Sequence, residues 1–231
     1  MKTNAKTLCL DEMRRRILTL DLQPGAMLDE VMLANEYGIS RTPMREIIQR
    51  LNGEGYLVIE QNRGAKVAPM DFATMRQFFQ AAPMIYAAIS RLAAERCEAK
   101  DAIRLKDIQL AYRESLVNNL PAETSMRNHE FHEVIGEIAG SPYLIPSLQR
   151  LLVDHTRIAQ TFYQSANDDD AARIGKAADQ HDAMIEAMAN HDPEHAVELT
   201  LDHWALSRDN IERFVSPDPL EFELGEASRA V

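Results

Sequence analysis

Gly38-Ile-Ser-Arg-Thr-Pro-Met-Arg-Glu46, followed closely by Leu51-Asn-Gly-Glu-Gly-Tyr56, is the stretch whose reading decides the fold. Ser40 is a helix N-cap type, Pro43 is tolerated in a first turn, and Met44, Ile47, Ile48 and Leu51 recur at the spacing of one buried helical face. Upstream, Glu30 to Tyr37 fits a short helix with Gly38 as its left-handed cap, so the pair reads helix, tight turn, helix. Earlier still, Leu8, Met13, Ile17, Leu18 and Leu22 form an apolar stripe, Arg14, Arg15 and Arg16 crowd one turn, and Pro24-Gly25 stops the helix. Downstream, Tyr56 to Glu60 reads as a strand, Asn62-Arg-Gly64 as a hairpin turn and Lys66 to Ala68 as the returning strand. Three helices and a two-stranded wing predict a winged helix-turn-helix over residues 5–70.

From Asp71 onward glycine is rare and helical periodicity takes over, with helices expected at roughly 71–96, 100–118, 122–139, 143–165, 168–190 and 193–214. Pro83 falls inside the first of these and should kink or divide it, because proline lacks an amide donor. The fold class is therefore mainly α: a winged helix-turn-helix, then an all-helical bundle over 71–215. Pro217, Pro219 and several acids mark 216–231 as a flexible tail.

Of 231 residues, 45% are hydrophobic and 26% charged, which excludes a wholly disordered chain. With 25 Lys and Arg against 36 Asp and Glu, the net charge of −11 argues against a nucleic-acid partner. Divided after Met70, however, the chain carries 10 basic and 9 acidic residues before that point and 15 and 27 after it. The excess negative charge thus belongs to the bundle, where all seven histidines also lie. Cys9 and Cys97 have neither metal-type nor disulfide-framework spacing, and no run approaches the roughly 18 apolar residues of a membrane span. A cytoplasmic protein with no membrane contact is expected.

A helix beginning at Ser40 presents its free amides together with Arg41, Thr42 and Arg45 at one end, an arrangement suited to phosphates and base edges in a major groove. Arg41 and Arg45 are one turn apart, and arginine to guanine is the commonest base-specific contact. Arg63 and Gly64 at the wing tip add a second contact point, with glycine permitting close backbone approach. Double-stranded DNA is the partner these residues predict.

The sequence here resembles the bacterial GntR-type transcriptional regulators, and among them the FadR-like group with an all-helical FCD effector domain. The resemblance is carried by Leu22-Gln-Pro-Gly25, Leu28-Asp-Glu30, Gly38 to Glu46, Leu51 to Tyr56 and Arg63-Gly64-Ala-Lys-Val67, and extends over roughly 5–215. It implies operator contacts from Arg41, Thr42 and Arg45 in the major groove and from Arg63 with Gly64 in the minor groove. Val31 stands where the family often has a basic residue. A homodimer is expected, since one short winged helix reads a half-site and a two-fold dimer reads a palindrome. A ligand-responsive repressor is the function implied.

In the bundle, Asn128 and His132 lie one helical turn apart, and His181 and His203 lie on two later helices. Three histidines converging in a bundle predict a site for a borderline divalent metal, zinc or nickel. The resemblance implies the same site, with an Asp where this chain has Asn128. The arginine and glutamate with which many relatives hold a carboxylate effector align with Ala82 and Tyr86. An organic-acid effector would then be held by an undercompensated metal or by Arg157, with Tyr86 lining the site, or the effector is less acidic. His129 is expected at the surface. No Gly-rich phosphate loop or nucleophile elbow is present, which leaves a metal-dependent hydrolase built on the histidines as the enzymatic alternative.

Overall fold

The computed structural model describes residues 5–61, 63–164 and 167–215, the side chains of 207 and 209–215 excepted. The tail expected from 216 lies outside the described residues. The N-terminal unit comprises α1 (Ala5–Leu18), α2 (Glu30–Glu36), α3 (Arg41–Gly53), β1 (Leu57–Glu60) and β2 (Gly64–Val67). Met13, Ile17, Leu33, Met44, Ile47, Leu51, Leu57 and Val67 close its core. Leu8, expected on the buried stripe, is 57% exposed, and Cys9 and Leu10 face inward instead. Asp29 caps α2 by accepting from the Val31 and Met32 amides, and Gly38 takes the left-handed conformation, φ 62°, that turns the chain into α3. Ser40 stands at the N-cap of α3 but makes no capping bond through its side chain, so its hydroxyl stays free for an outside partner.

The wing pairs Leu57 with Val67 through Glu60 with Gly64 in antiparallel register. A third edge comes from the chain after Gly25, φ 78°: the Gly25 amide donates to Val67 O, the Val67 amide to Ala26 O and the Leu28 amide to Ala65 O.

The second unit is a bundle of α4 (Phe72–Arg96), α5 (Ala99–Val117), α6 (Pro121–Ala139), α7 (Ile145–Phe162), α8 (Asp168–Ala189) and α9 (Pro193–Val215). α4 runs undivided through Pro83. Its face of Phe78, Ala82, Tyr86, Ile89 and Ala93 is buried in the bundle core, and this packing outweighs a cost of about 3 kcal/mol for an interior proline. Gly136 of α6 lies against Leu148 of α7; a Cβ there would sit 2.4 Å from Leu148 Cδ2, so the missing side chain sets how closely these helices approach.

α7 is buried on all sides from Leu152 to Gln160, which suits a helix sandwiched between two layers. Toward the bundle it presents Leu148 and Leu152. Toward the N-terminal unit it presents Val153, which joins that unit's core, and Gln160, whose Nε2 donates to Leu18 O at 3.0 Å. Arg150 lies across Gly55, φ 85°, where a Cβ would fall 2.1 Å from Arg150 Cδ.

Candidate functional site

The side chains expected to face DNA are exposed on the N-terminal unit, at the start of α3 and at the wing tip. Ser40, Arg41, Thr42 and Arg45 are exposed at the start of α3. Arg41 has no ion pair among the described residues, whereas Arg45 Nε donates to Glu30 Oε1 at 2.8 Å. Arg63 at the wing tip has 79% of its side chain exposed, with Glu60 at 3.8 Å. Gly64, φ 90°, has no neighbour within 4 Å of a hypothetical Cβ, which leaves room for a close backbone approach.

Arg14, Arg15 and Arg16 do not join this face as free charges. Arg14 makes a two-point pair with Glu54 at 2.6 and 3.0 Å, tying α1 to the end of α3. Arg15 pairs with Glu12 at 2.9 Å, and Arg16 with Glu36 at 2.9 Å and the Tyr37 hydroxyl at 3.1 Å. Each of the three is already neutralised within the unit.

The second constellation lies inside the bundle, and all six of its helices contribute. His132 of α6, His181 of α8 and His203 of α9 are buried, with one ligand atom from each lying within 4.8 Å of the others. Asn128 of α6 is equally buried. Gln109 of α5 donates its amide to Ala178 O at 2.8 Å, so its carbonyl faces His181 Nδ1 at 3.1 Å. His181 Nδ1 therefore carries the proton and Nε2 keeps a lone pair. Gln180 Oε1 holds His203 Nδ1 in the same way at 3.2 Å. The result is the outer-shell support expected of metal-binding imidazoles.

The donor atoms themselves have no partner: Asn128 Oδ1, His132 Nε2 and His181 Nε2 are buried without a hydrogen bond. Orphaned buried acceptors cost free energy, and the convergence of the three histidines, with Asn128 one helical turn before His132 on α6, fits a divalent metal held by His132, His181, His203 and Asn128. Burial keeps these rings neutral. It pulls His132 and His181 well below the usual imidazole range, with the other histidines adding to the effect, and His203 down to about 4.

Of the two effector candidates, Tyr86 is brought to the cluster and Arg157 is not. The Tyr86 ring stands edge-on to His132 at 5.4 Å and its hydroxyl lies 2.8 Å from His155 Nδ1. Arg157 instead points to the N-terminal unit, where its Nη1 donates to Ala68 O at 2.6 Å and its Nη2 pairs with Asp154. It is enclosed completely, so it fastens the two units together rather than meeting a ligand.

His155 was not among the sequence candidates, yet its ring lies 5.1 Å from that of His132, and burial holds it down at about 3. The spacing Leu148, Leu152, His155, Ala159 carries the signal, since it repeats along one helical face. His129, expected at the surface, is half-buried, its Nδ1 2.7 Å from Thr156 Oγ1. Thr156 gives its own proton to Leu152 O, so His129 is the donor in that contact.

Residues 9–67 match the family described as bacterial regulatory proteins, gntR family, and residues 77–206 match the FCD domain. The chain belongs to the GntR family and carries an FCD domain. Among relatives of this GntR regulator, the galactonate operon transcriptional repressor of Escherichia coli strain K12 is 25% identical over 226 residues, 83% of this chain and 93% of the relative. The Nta operon transcriptional regulator of Aminobacter aminovorans is 31% identical over 93 residues, but the match spans only 40% of this chain and 44% of that protein. In fold, E. coli McbR/YncC superposes with a TM-score of 0.75 at 18% identity, covering 90% of this chain and 96% of that one. A GntR regulator from Rhodococcus sp. RHA1 follows at 0.70 and 16%, covering 93% and 100%.

The protein is thus a DNA-binding transcriptional regulator and not an enzyme. The hydrolase alternative has no support: Glu130 and Asp182 are paired with Arg127 and Arg113, Glu133 lines the cleft between the two units, and Asp202 is exposed. Among the described residues no helix is long and apolar enough to cross a membrane.

Proposed function

We propose that this GntR regulator is a homodimeric, cytoplasmic repressor whose operator affinity is set by a small organic acid bound beside a zinc or nickel ion in the FCD domain. Residues 5–70 act as the operator-binding unit and residues 71–215 as the effector and dimerisation unit. One observation carries this reading: α7 lines the histidine cluster with His155 and, two positions on, grips the DNA-binding unit through Arg157, which Asp154 holds in place. A ligand that draws His132, His181 and His203 together acts on the helix that holds the other unit in place.

On the operator, Ser40 and Thr42 contact phosphates, Arg41 and Arg45 read base edges in the major groove, and Arg63 with Gly64 follows the minor groove. Two copies related by a two-fold axis read a palindrome. The E. coli relative named as a galactonate operon transcriptional repressor supports the sign of the regulation, and the sugar acid in that operon's name belongs to the organic-acid class proposed here.

The test is a fluorescence-anisotropy titration of the protein on palindromic DNA from its own upstream region, run metal-stripped, with zinc, and with zinc plus a panel of organic acids. At least one acid should weaken DNA binding, and DNA should weaken binding of that acid by the same factor. If no acid and no metal state changes DNA affinity, effector control through this cavity is wrong.

A further inference from the structure

We infer that Asn128 makes metal retention in this FCD domain conditional on an anion, so that metal and acidic effector bind as a linked pair. This rests on the metal-containing cavity proposed above and adds the rule by which it fills.

The groups facing the site are Tyr86 from α4, Gln109 and Tyr112 from α5, Asn128, Phe131 and His132 from α6, His155 from α7, His181 from α8, and His203 with Trp204 from α9. None is acidic. The neighbouring acids all turn away: Glu130 pairs with Arg127, Glu133 lines the cleft between the two units, and Asp179 and Asp182 pair with Arg113. Asp154 is spent on Arg150 and Arg157, and Asp202 is exposed.

Four neutral donors supply lone pairs but no charge. A dication bound by them alone keeps its full charge in a buried, water-poor site, which is strongly unfavourable without a counter-charge. A carboxylate from outside supplies that counter-charge. By linkage, each partner then raises the affinity of the other by the same factor, about 10- to 100-fold for a coupling of ordinary size.

The experiment measures zinc affinity of the full-length, metal-stripped protein by competition with a chromophoric chelator in a non-coordinating buffer. Acetate is added in one arm and acetamide, its uncharged counterpart, in another. Zinc affinity should rise about 10- to 100-fold with acetate and stay level with acetamide. Asn128→Asp, which places the charge on the protein, should bind zinc tightly without acetate and flatten the dependence. Equal zinc affinity of the wild type with and without acetate, lost in His132→Ala, overturns the linkage while leaving the metal site standing. No zinc binding under any condition overturns both. Should Asn128→Asp fail to fold, as a thermal melt would reveal, the wild-type comparison of acetate with acetamide decides alone.

Discussion

Two buried polar clusters lie on either side of α7, and they differ in whether their atoms are partnered. On the side of the DNA-binding unit, Asp154 accepts from both Arg150 and Arg157, and Arg157 reaches across to Ala68 O, leaving only its Nε without a bond. On the bundle side, His132, His181 and His203 bring ligand atoms within 4.8 Å of one another, and Asn128 Oδ1, His132 Nε2 and His181 Nε2 are buried without a hydrogen bond. A satisfied buried pair holds structure together, whereas a set of buried donor atoms whose rings are oriented from behind by Gln109 and Gln180 is arranged for a ligand. Residue type alone would rank a buried arginine as the anion receptor. The bonds these atoms make reverse that ranking.

Acid should separate the clusters most strongly. His129, His132, His155, His181 and His203 are all held neutral by burial, His129 at about 4. Below about pH 6.5 the unfolded chain binds protons that the folded chain refuses. Their contribution to stability is therefore complete above that pH and is lost as pH falls toward about 4. Each histidine contributes about 1.4 kcal/mol per pH unit in that window, and the five together roughly 7. Denaturant titrations of the metal-stripped protein between pH 7.5 and 5 should show this slope. A stability that hardly changes down to pH 5 would mean that the cluster hydrates and charges in place.

The satisfied cluster should answer to truncation instead. Asp154→Ala leaves the Arg157 charge enclosed without its counterion and should cost about 3–5 kcal/mol, whereas replacing both residues together with Leu and Met should recover most of that loss. The readout is equilibrium unfolding. A single-variant loss below about 1 kcal/mol would show that Arg157 reaches water, contrary to its complete burial, and would reopen it as a ligand group.

A parallel contrast holds among the arginines of the N-terminal unit. Arg41→Ala should lose roughly 1–3 kcal/mol of discrimination between operator and scrambled DNA if it makes a bidentate base contact. Arg15→Ala should leave DNA affinity almost unchanged, because that guanidinium is already held by Glu12. Comparable losses from both would return α1 to the DNA-binding surface.

Periodicity made the architecture legible before any coordinates: Met44, Ile47, Ile48 and Leu51 placed the recognition helix, and the six later helices appear close to their expected bounds. The histidine trio was legible too, since Asn128 and His132 share a helical face whatever the tertiary packing. Partnership was not legible. Arg14 meets Glu54 across 40 residues of chain, and Arg157 meets a backbone carbonyl 89 residues away, an acceptor with no side-chain signature. Pro83 does not divide its helix for the complementary reason, because a local rule about a missing amide yields to the packing of both helix halves into one core.

The smallest expected effect concerns Glu30, which holds Arg45 in the DNA-free protein. The pair is exposed on the arginine side, 68% against 29% for Glu30, so Glu30→Gln should change folding stability by only about 0.2–1 kcal/mol. Its effect on DNA should be of the opposite sign. Removing a negative charge beside the recognition helix reduces repulsion of phosphates and frees the guanidinium, so operator and scrambled DNA should both bind a few-fold tighter at low salt, with the gain fading as salt screens it. Anisotropy titrations at two ionic strengths read this directly. If Glu30→Gln lowers the preference for operator while leaving affinity for scrambled DNA in place, Glu30 is the group that aims Arg45 at its base, and the ion pair belongs to the recognition surface rather than to the resting state.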